Sequence, residues 1–179
     1  GDTFKNCSSL TNIVIPKTVS FVSSSAFEGT PWLDNRMQTE DFVIINDILY
    51  RHGTKTSGDI VIPDGVTIIG MYAFASCEDL TGVSIPDGVT TIDMEAFGGC
   101  TNLSSVTIPE SVTSIDSYAF EWCSSLTGIK LPSGISCIES GTFRSCSSLT
   151  AIDIPDNVTR IYYSAFDGCS NLETINIPS

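Results

Sequence analysis

The chain is short of the residues that most enzyme sites are built from. It has one histidine, His52, and only 8 Lys and Arg among 179 residues. No C-x-x-C pair occurs, and no glycine loop of the phosphate-cradling kind. No apolar run approaches the length of a membrane span. Each lack excludes something. His52 has no nucleophile motif beside it, so nucleophilic or acid–base catalysis has little to work with, and we expect no catalytic residues. With 21 acidic residues the net charge is -13. A nucleic acid would be repelled at long range, and the acidity reads as the solubilising charge of a repeat surface. No secretory signal opens the chain. It starts at Gly1 without Met, partway through a repeat, and ends at Ile177-Pro178-Ser179, again within one. Both ends lead to the expectation of a piece from a longer protein.

What the chain does have is period. Cys77, Cys100, Cys123, Cys146 and Cys169 fall 23 residues apart. Ile62-Pro63, Ile85-Pro86, Ile108-Pro109, Leu131-Pro132 and Ile154-Pro155 keep the same beat, and so do the Ala-Phe pairs ending at Phe74, Phe97, Phe120 and Phe166. Thr142-Phe143 is the one variant, and an earlier copy starts at Cys7. Such self-similarity marks a solenoid. In the copy from Cys77 to Gly99, Val83 and Ile85 alternate around Ser84, as a strand with one buried face requires. Pro86 ends the strand and Asp87-Gly88 turns it. Residues 89–92 form a second extended segment, and Ala96-Phe97 plugs the return side, part of which reads as a 3-10 or α turn. One coil cannot bury its own apolar side, so the copies must stack.

The fold class is therefore a mainly β repeat solenoid of 23-residue rungs. It is a single unit over 1–179, with regular repeats at 7–29 and 77–168, an irregular repeat at 30–76 and a partial one at 169–179. In the irregular repeat Thr30 replaces the cysteine. Thr30-Pro31-Trp32-Leu33 leads into a polar stretch. Two apolar runs around Asn46-Asp47 read as a β-hairpin, and Gly53 to Asp59 reads as a loop. This module either bulges from the solenoid as a binding surface or covers local core with Trp32 and Phe42.

The string C-x-x-L-T-x-I-x-I-P-x-x-V-T-x-I-x-x-x-A-F resembles the BspA-like, or treponemal-type, leucine-rich-repeat family. The Thr-Pro-Trp-Leu interruption with its Phe-Val-Ile-Ile-Asn hairpin also looks like a variant seen there. The resemblance implies a right-handed leucine-rich-repeat stack on secreted or cell-surface bacterial proteins, some of which are adhesins binding host extracellular-matrix or cell-surface proteins. It brings no catalytic residues and no cofactor. The chain departs from the better-known repeat at Gly88, Ser111, Gly134 and Asn157, so no full asparagine ladder is expected.

Candidate sites are weighed against plainer roles. The cysteine column, Cys7 included, reads as buried free thiols. A parallel column does not converge on a metal, and its stacked Cβ vectors suit disulfides poorly. Cys137 lies off the column and should point outward. Acidic columns run Asp64, Asp87, Glu110, Asp156 and Asp93, Asp116, Glu139. They read as a solvated face, with weak calcium binding as the alternative. The outward strand column includes Lys130 and Asp153 but no aromatic or Arg, so interface hot spots are missing from that face. Aromatics gather instead on the return segment: Tyr72, Tyr118, Trp122, Tyr162 and Tyr163. They either anchor a protein or a glycan or pack over the rung edge. An adhesive module, a spacer presenting other domains and a glycan-binding module all remain open.

Overall fold

The computed structural model describes residues 2–177. Gly1, Pro178 and Ser179 lie outside them, and with Pro178 the last proline stop of the column. In chain order the elements are α1 (Pro31–Thr39), β1 (Phe42–Ile45), β2 (Ile48–His52), β3 (Gly58–Val61), β4 (Ile68–Ile69), β5 (Leu80–Ser84), β6 (Thr91–Ile92), β7 (Ser105–Thr107), β8 (Ser114–Ile115), β9 (Cys137–Ile138), β10 (Ala151–Asp153), β11 (Arg160–Ile161) and β12 (Thr174–Asn176). They stack into a β-solenoid. The strand before each proline builds a front ladder, β3-β5-β7 and then β10-β12. The second extended segment builds a side ladder, β2-β4-β6-β8 and then β9-β11. Pairing is parallel and offset by the repeat, with Val83 against Val106 and Ile92 against Ile115. The alternation in sequence therefore becomes an alternation of core and solvent.

The third side is the return. It carries no helix. Successive i to i+3 turns close it, such as Ala73 N to Gly70 O and Cys77 N to Phe74 O, each 3.0 Å. Backbone bonds also run between rungs here: Phe74 N donates to Ala96 O at 2.8 Å and Phe97 N to Ala119 O at 2.9 Å. The phenylalanine rings stack in register, Phe74 on Phe97 at 5.1 Å and Phe97 on Phe120 at 5.3 Å, with planes within 5°. The rung spacing of a sheet, about 4.8 Å, is close to the stacking distance of rings, so one repeat satisfies both. Phe74, Phe97, Phe120 and Phe143 have no exposure to solvent.

The interruption is resolved in detail. The expected polar stretch after Leu33 is helix α1. Thr30, in the cysteine column, caps it: its Oγ1 accepts from Leu33 N at 3.3 Å and donates to Phe27 O at 2.6 Å. Pro31 at the first helical position needs no N–H partner there. Trp32 and Leu33 are buried, with Trp32 against Phe27 at 4.6 Å. The hairpin forms as expected, β1 antiparallel to β2. It does not bulge, because β2 pairs parallel with β4 and enters the side ladder. Its tip is tied down by Asn46 Nδ2, which donates to Val19 O at 2.8 Å. Phe42 packs edge-on to Phe74, so the module covers core. The loop expected to reach Asp59 ends sooner, because β3 starts at Gly58 through a register shift against β5.

The first rung, 7–29, is less regular than its sequence. It keeps the return bonds but has no strand. The reason is its neighbour: α1 occupies the stretch where the next front strand would pair, and Trp32 N bonds to Leu10 O instead.

Replacing Phe97 by Ala should cost about 3–5 kcal/mol of stability. Phe166, half-buried at the end of the ladder, should cost less. Urea denaturation of both variants checks the order.

Candidate functional site

Three kinds of site were open from the sequence: the cysteines, the interruption with its histidine, and the exposed faces.

The cysteine column is only partly the buried row that the repeat suggests. Cys77, Cys100, Cys123 and Cys146 are buried, while Cys169 is half-buried and Cys7 exposed; among the described residues each of these two is covered by a rung on one side. The buried thiols do more than fill space. Cys100 Sγ donates to Phe74 O at 3.1 Å, Cys123 Sγ to Phe97 O at 3.3 Å and Cys146 Sγ to Phe120 O at 3.1 Å. Each thiol thus binds the phenylalanine carbonyl one rung back. Burial pushes the Cys100 and Cys146 thiols up to about 12, so these groups are neutral and poor nucleophiles. Cys137 is half-buried beside the Glu139 carboxylate, 3.1 Å away. Burial first, and then Glu139, raise its pKa.

His52 fills a vacancy in the ring ladder. It stacks on Phe74 at 5.8 Å with planes 11° apart, and its N–H donates to Ala73 O as a phenylalanine's would. Its Nδ1 lies 2.9 Å from Gly53 O. Burial lowers its pKa, which keeps the ring neutral near pH 7. Arg51 beside it gives its guanidinium to the carbonyls of Tyr50, Met71 and Ser24. The Tyr50 hydroxyl donates to Ser24 O at 2.8 Å. This knot joins the hairpin to the first rung and has the form of structural glue.

The acidic columns do not converge. Among the described residues, no three His, Cys, Asp or Glu side chains come together as a metal site would require. Glu110 is committed elsewhere, to Lys130 and Ser133. Ser111 Oγ bridges rungs by donating to Val89 O at 2.8 Å, and Asn157 Nδ2 donates to Ser133 O at 2.8 Å. Mixed residues thus stand in for an asparagine ladder.

The exposed faces differ. On the front, Lys130 and Asp153 line one open groove of about 600 Å³ with Glu110, Ser133 and Asn157. On the return side, Trp122 is 54% and Tyr163 85% exposed, Tyr162 lies under Arg160 at 6.0 Å, and Tyr72 and Tyr118 are half-buried. No two of these five rings stack on each other among the described residues. Tyr118 and Trp122 share one turn.

That turn holds a feature missed in the sequence. Two return positions have left-handed backbone in successive rungs. One is the residue before the cysteine: Asn6, Gly29, Ser76, Gly99, Trp122, Ser145 and Gly168. The other is Tyr72, Glu95, Tyr118, Gly141 and Ser164. The first column is written in Gly, Asn and Ser, which tolerate this region; that composition was the available signal. Trp122 (φ 60°) breaks it, while Tyr118 (φ 60°) stands in the second column, which holds Tyr72 and Glu95 as well. A large side chain there costs on the order of 1–3 kcal/mol. The Tyr118 ring lies across Gly141, where a Cβ would stand 2.3 Å from it. The neighbouring glycine makes room for the ring.

Trp122→Gly should be more stable than Trp122→Ala by about 1 kcal/mol, since only glycine relieves the left-handed backbone; thermal denaturation checks this. For the thiols, a folded pKa above the usual 9 means stability present below pH 9 and lost as pH rises toward 12. Denaturant midpoints should therefore fall over that window, and fall less in a Cys100→Ala, Cys146→Ala variant.

Comparison with known proteins follows the same columns. The family model for the BspA type leucine rich repeat region matches residues 1–81 and 67–179 in six copies. A leucine rich repeat protein of T. pallidum is 33% identical, with a TM-score of 0.71 over 76% of this chain and 68% of that one. A leucine rich cell surface protein of Faecalibacterium prausnitzii is 35% identical, with a TM-score of 0.67 over 72% of this chain and 34% of that one. A leucine-rich repeat protein of Eubacterium ventriosum is 26% identical, with a TM-score of 0.69 over 77% and 40%. The chain thus spans well under half of the last two. Curated proteins give no match. With its repeats, ladders and interruption all accounted for, the chain belongs to the BspA type leucine-rich-repeat family.

Proposed function

We propose that this chain is a non-catalytic protein-binding module of a bacterial cell-surface or secreted protein, and that the return face around Tyr118 and Trp122 is its contact surface. Leucine-rich-repeat solenoids typically serve as binding scaffolds, and a relative in F. prausnitzii is described as a cell surface protein. Among the described residues no helix is long and apolar enough to cross a membrane.

One observation carries the choice of face. Trp122 is 54% exposed while held in a backbone region where glycine, asparagine and serine stand in other rungs. Exposed tryptophan is not stabilised by burial, and the left-handed backbone is costly. A residue that costs stability and leaves more than half of a large ring in water points to a role in contact. Tyr118 on the same turn, Tyr72 two rungs before it, and Tyr162 and Tyr163 toward the other end extend the surface. Lys130 and Asp153 belong to a separate groove of mixed polar and apolar lining on the front, and we assign them a secondary role in the same module. Partners of the adhesive kind, host extracellular-matrix or cell-surface proteins, fit a surface of exposed aromatic rings on an otherwise acidic protein.

Immobilised extracellular-matrix and host cell-surface proteins, with a glycan array beside them, provide the test. The unaltered chain should bind at least one protein, and the Tyr118→Ala, Trp122→Gly variant should bind it at least about tenfold more weakly. Equal binding by the variant, or binding to glycans alone, would overturn the reading.

A further inference from the structure

Both ladders stop at the same rung boundary. β7 pairs only with β5, and β8 only with β6. On the front, residues 128–131 form no strand, and their backbone N–H groups make no hydrogen bond to β7 or β10. On the side, Thr113 N donates to Thr90 O and Asp116 N to Ile92 O, each at 2.9 Å; Ser136 and Glu139, one rung on, make no such bonds. The return side stays joined. Tyr118 N donates to Ser140 O at 2.9 Å, Phe120 N to Thr142 O at 2.9 Å and Trp122 N to Arg144 O at 2.8 Å. The rings remain stacked there, Phe120 on Phe143 at 5.7 Å and Phe143 on Phe166 at 5.6 Å.

The rung that begins at Cys123 also departs in its core. Ile135 stands where Val66, Val89, Val112 and Val158 stand, and Thr142 where Ala73, Ala96, Ala119 and Ala165 stand. Both replacements are larger and buried. Extra volume in a filled column must be taken up by moving the rung. On the front, the Glu110 carboxylate spans the opening, with Ser124 Oγ donating to Thr101 O at 3.1 Å where the segment begins. Glu110 Oε1 accepts from Lys130 Nζ at 3.1 Å, and its Oε2 accepts from Ser133 N at 2.9 Å and Ser133 Oγ at 3.0 Å. All three donors come from the far side.

We infer that the solenoid hinges at this boundary. The return segments 118–122 and 140–144 are the spine, and the front and side walls open and close. The Glu110 carboxylate is the latch. The stacks on either side move as two bodies, and the front groove between Glu110 and Asn157 changes width with the angle. This reading does not depend on the aromatic contact surface.

Amide hydrogen exchange resolved by residue tests it. Ile129, Lys130 and Leu131 should exchange faster than Val83, Ser84 and Ile85. Glu110→Ala, an exposed substitution that leaves the core intact, should speed the Ser133 amide that it holds by about tenfold or more and leave 129–131, already without bonds to their neighbours, as fast as before. The Ile135→Val, Thr142→Ala variant, which restores the columns, should slow them. Tyr118, Phe120 and Trp122 should stay slow throughout. Rates at 129–131 that the column-restoring variant does not slow would mean a fixed irregularity and overturn the hinge. So would spine amides that speed up together with the front, since the whole rung would then be loose.

Discussion

A coil of 23 residues has an apolar inside and no means of closing it except another coil. Everything else in this molecule follows from that dependence. Each rung gives its neighbour three things at once: a strand edge to pair with on two sides, a ring to stack on, and a carbonyl to receive a buried thiol. The phenylalanine carbonyl is the point where they meet. It accepts the cysteine amide of its own turn and the cysteine thiol of the next rung. A thiol fits because it is small, weakly polar and content to be buried with one bond. Repetition works because sheet spacing and ring stacking have nearly the same length.

Residues that replace a column member keep its bonding rather than its name. Thr30 stands in for a cysteine and keeps the amide bond to Phe27 O, while its hydroxyl turns to that same carbonyl of its own turn and starts a helix. His52 stands in for a phenylalanine and keeps both the stack and the backbone bond. Thr142 stands in for an alanine and returns its hydroxyl to Glu139 O. The interruption from Thr30 to Gly58 is therefore less a break in the solenoid than a passage built from other residues. A helix replaces one front strand and a hairpin joins the side ladder.

The regular rungs were legible because their signal is repeated, and phase between columns does not depend on any one residue. The hairpin was legible from its two apolar runs. Helix α1 was passed over because nine residues of low apolarity carry little periodicity; the Thr30-Pro31 start was the local sign. The irregular first rung was not legible, because its loss of strands comes from α1 beside it and not from its own sequence. The left-handed position before the cysteine could have been inferred from the Gly, Asn and Ser of its column, and Trp122 would then have stood out as an exception with a cost; the second column, with Tyr72, Glu95 and Tyr118, carries no such signal. The opening between rungs has fainter marks, Ile135 and Thr142, each conservative alone. Their effect is collective, through the filled columns they enlarge.

Inward columns carry the fold, and outward columns are free for surface chemistry. The most direct measurement compares one charge in two places two residues apart. Leu103 is fully buried and Ser105 is exposed. In urea denaturation Leu103→Asp should lose several kcal/mol or fail to fold, and Ser105→Asp should stay within about 0.5 kcal/mol of the unaltered chain. Equal losses at the two positions would contradict the account.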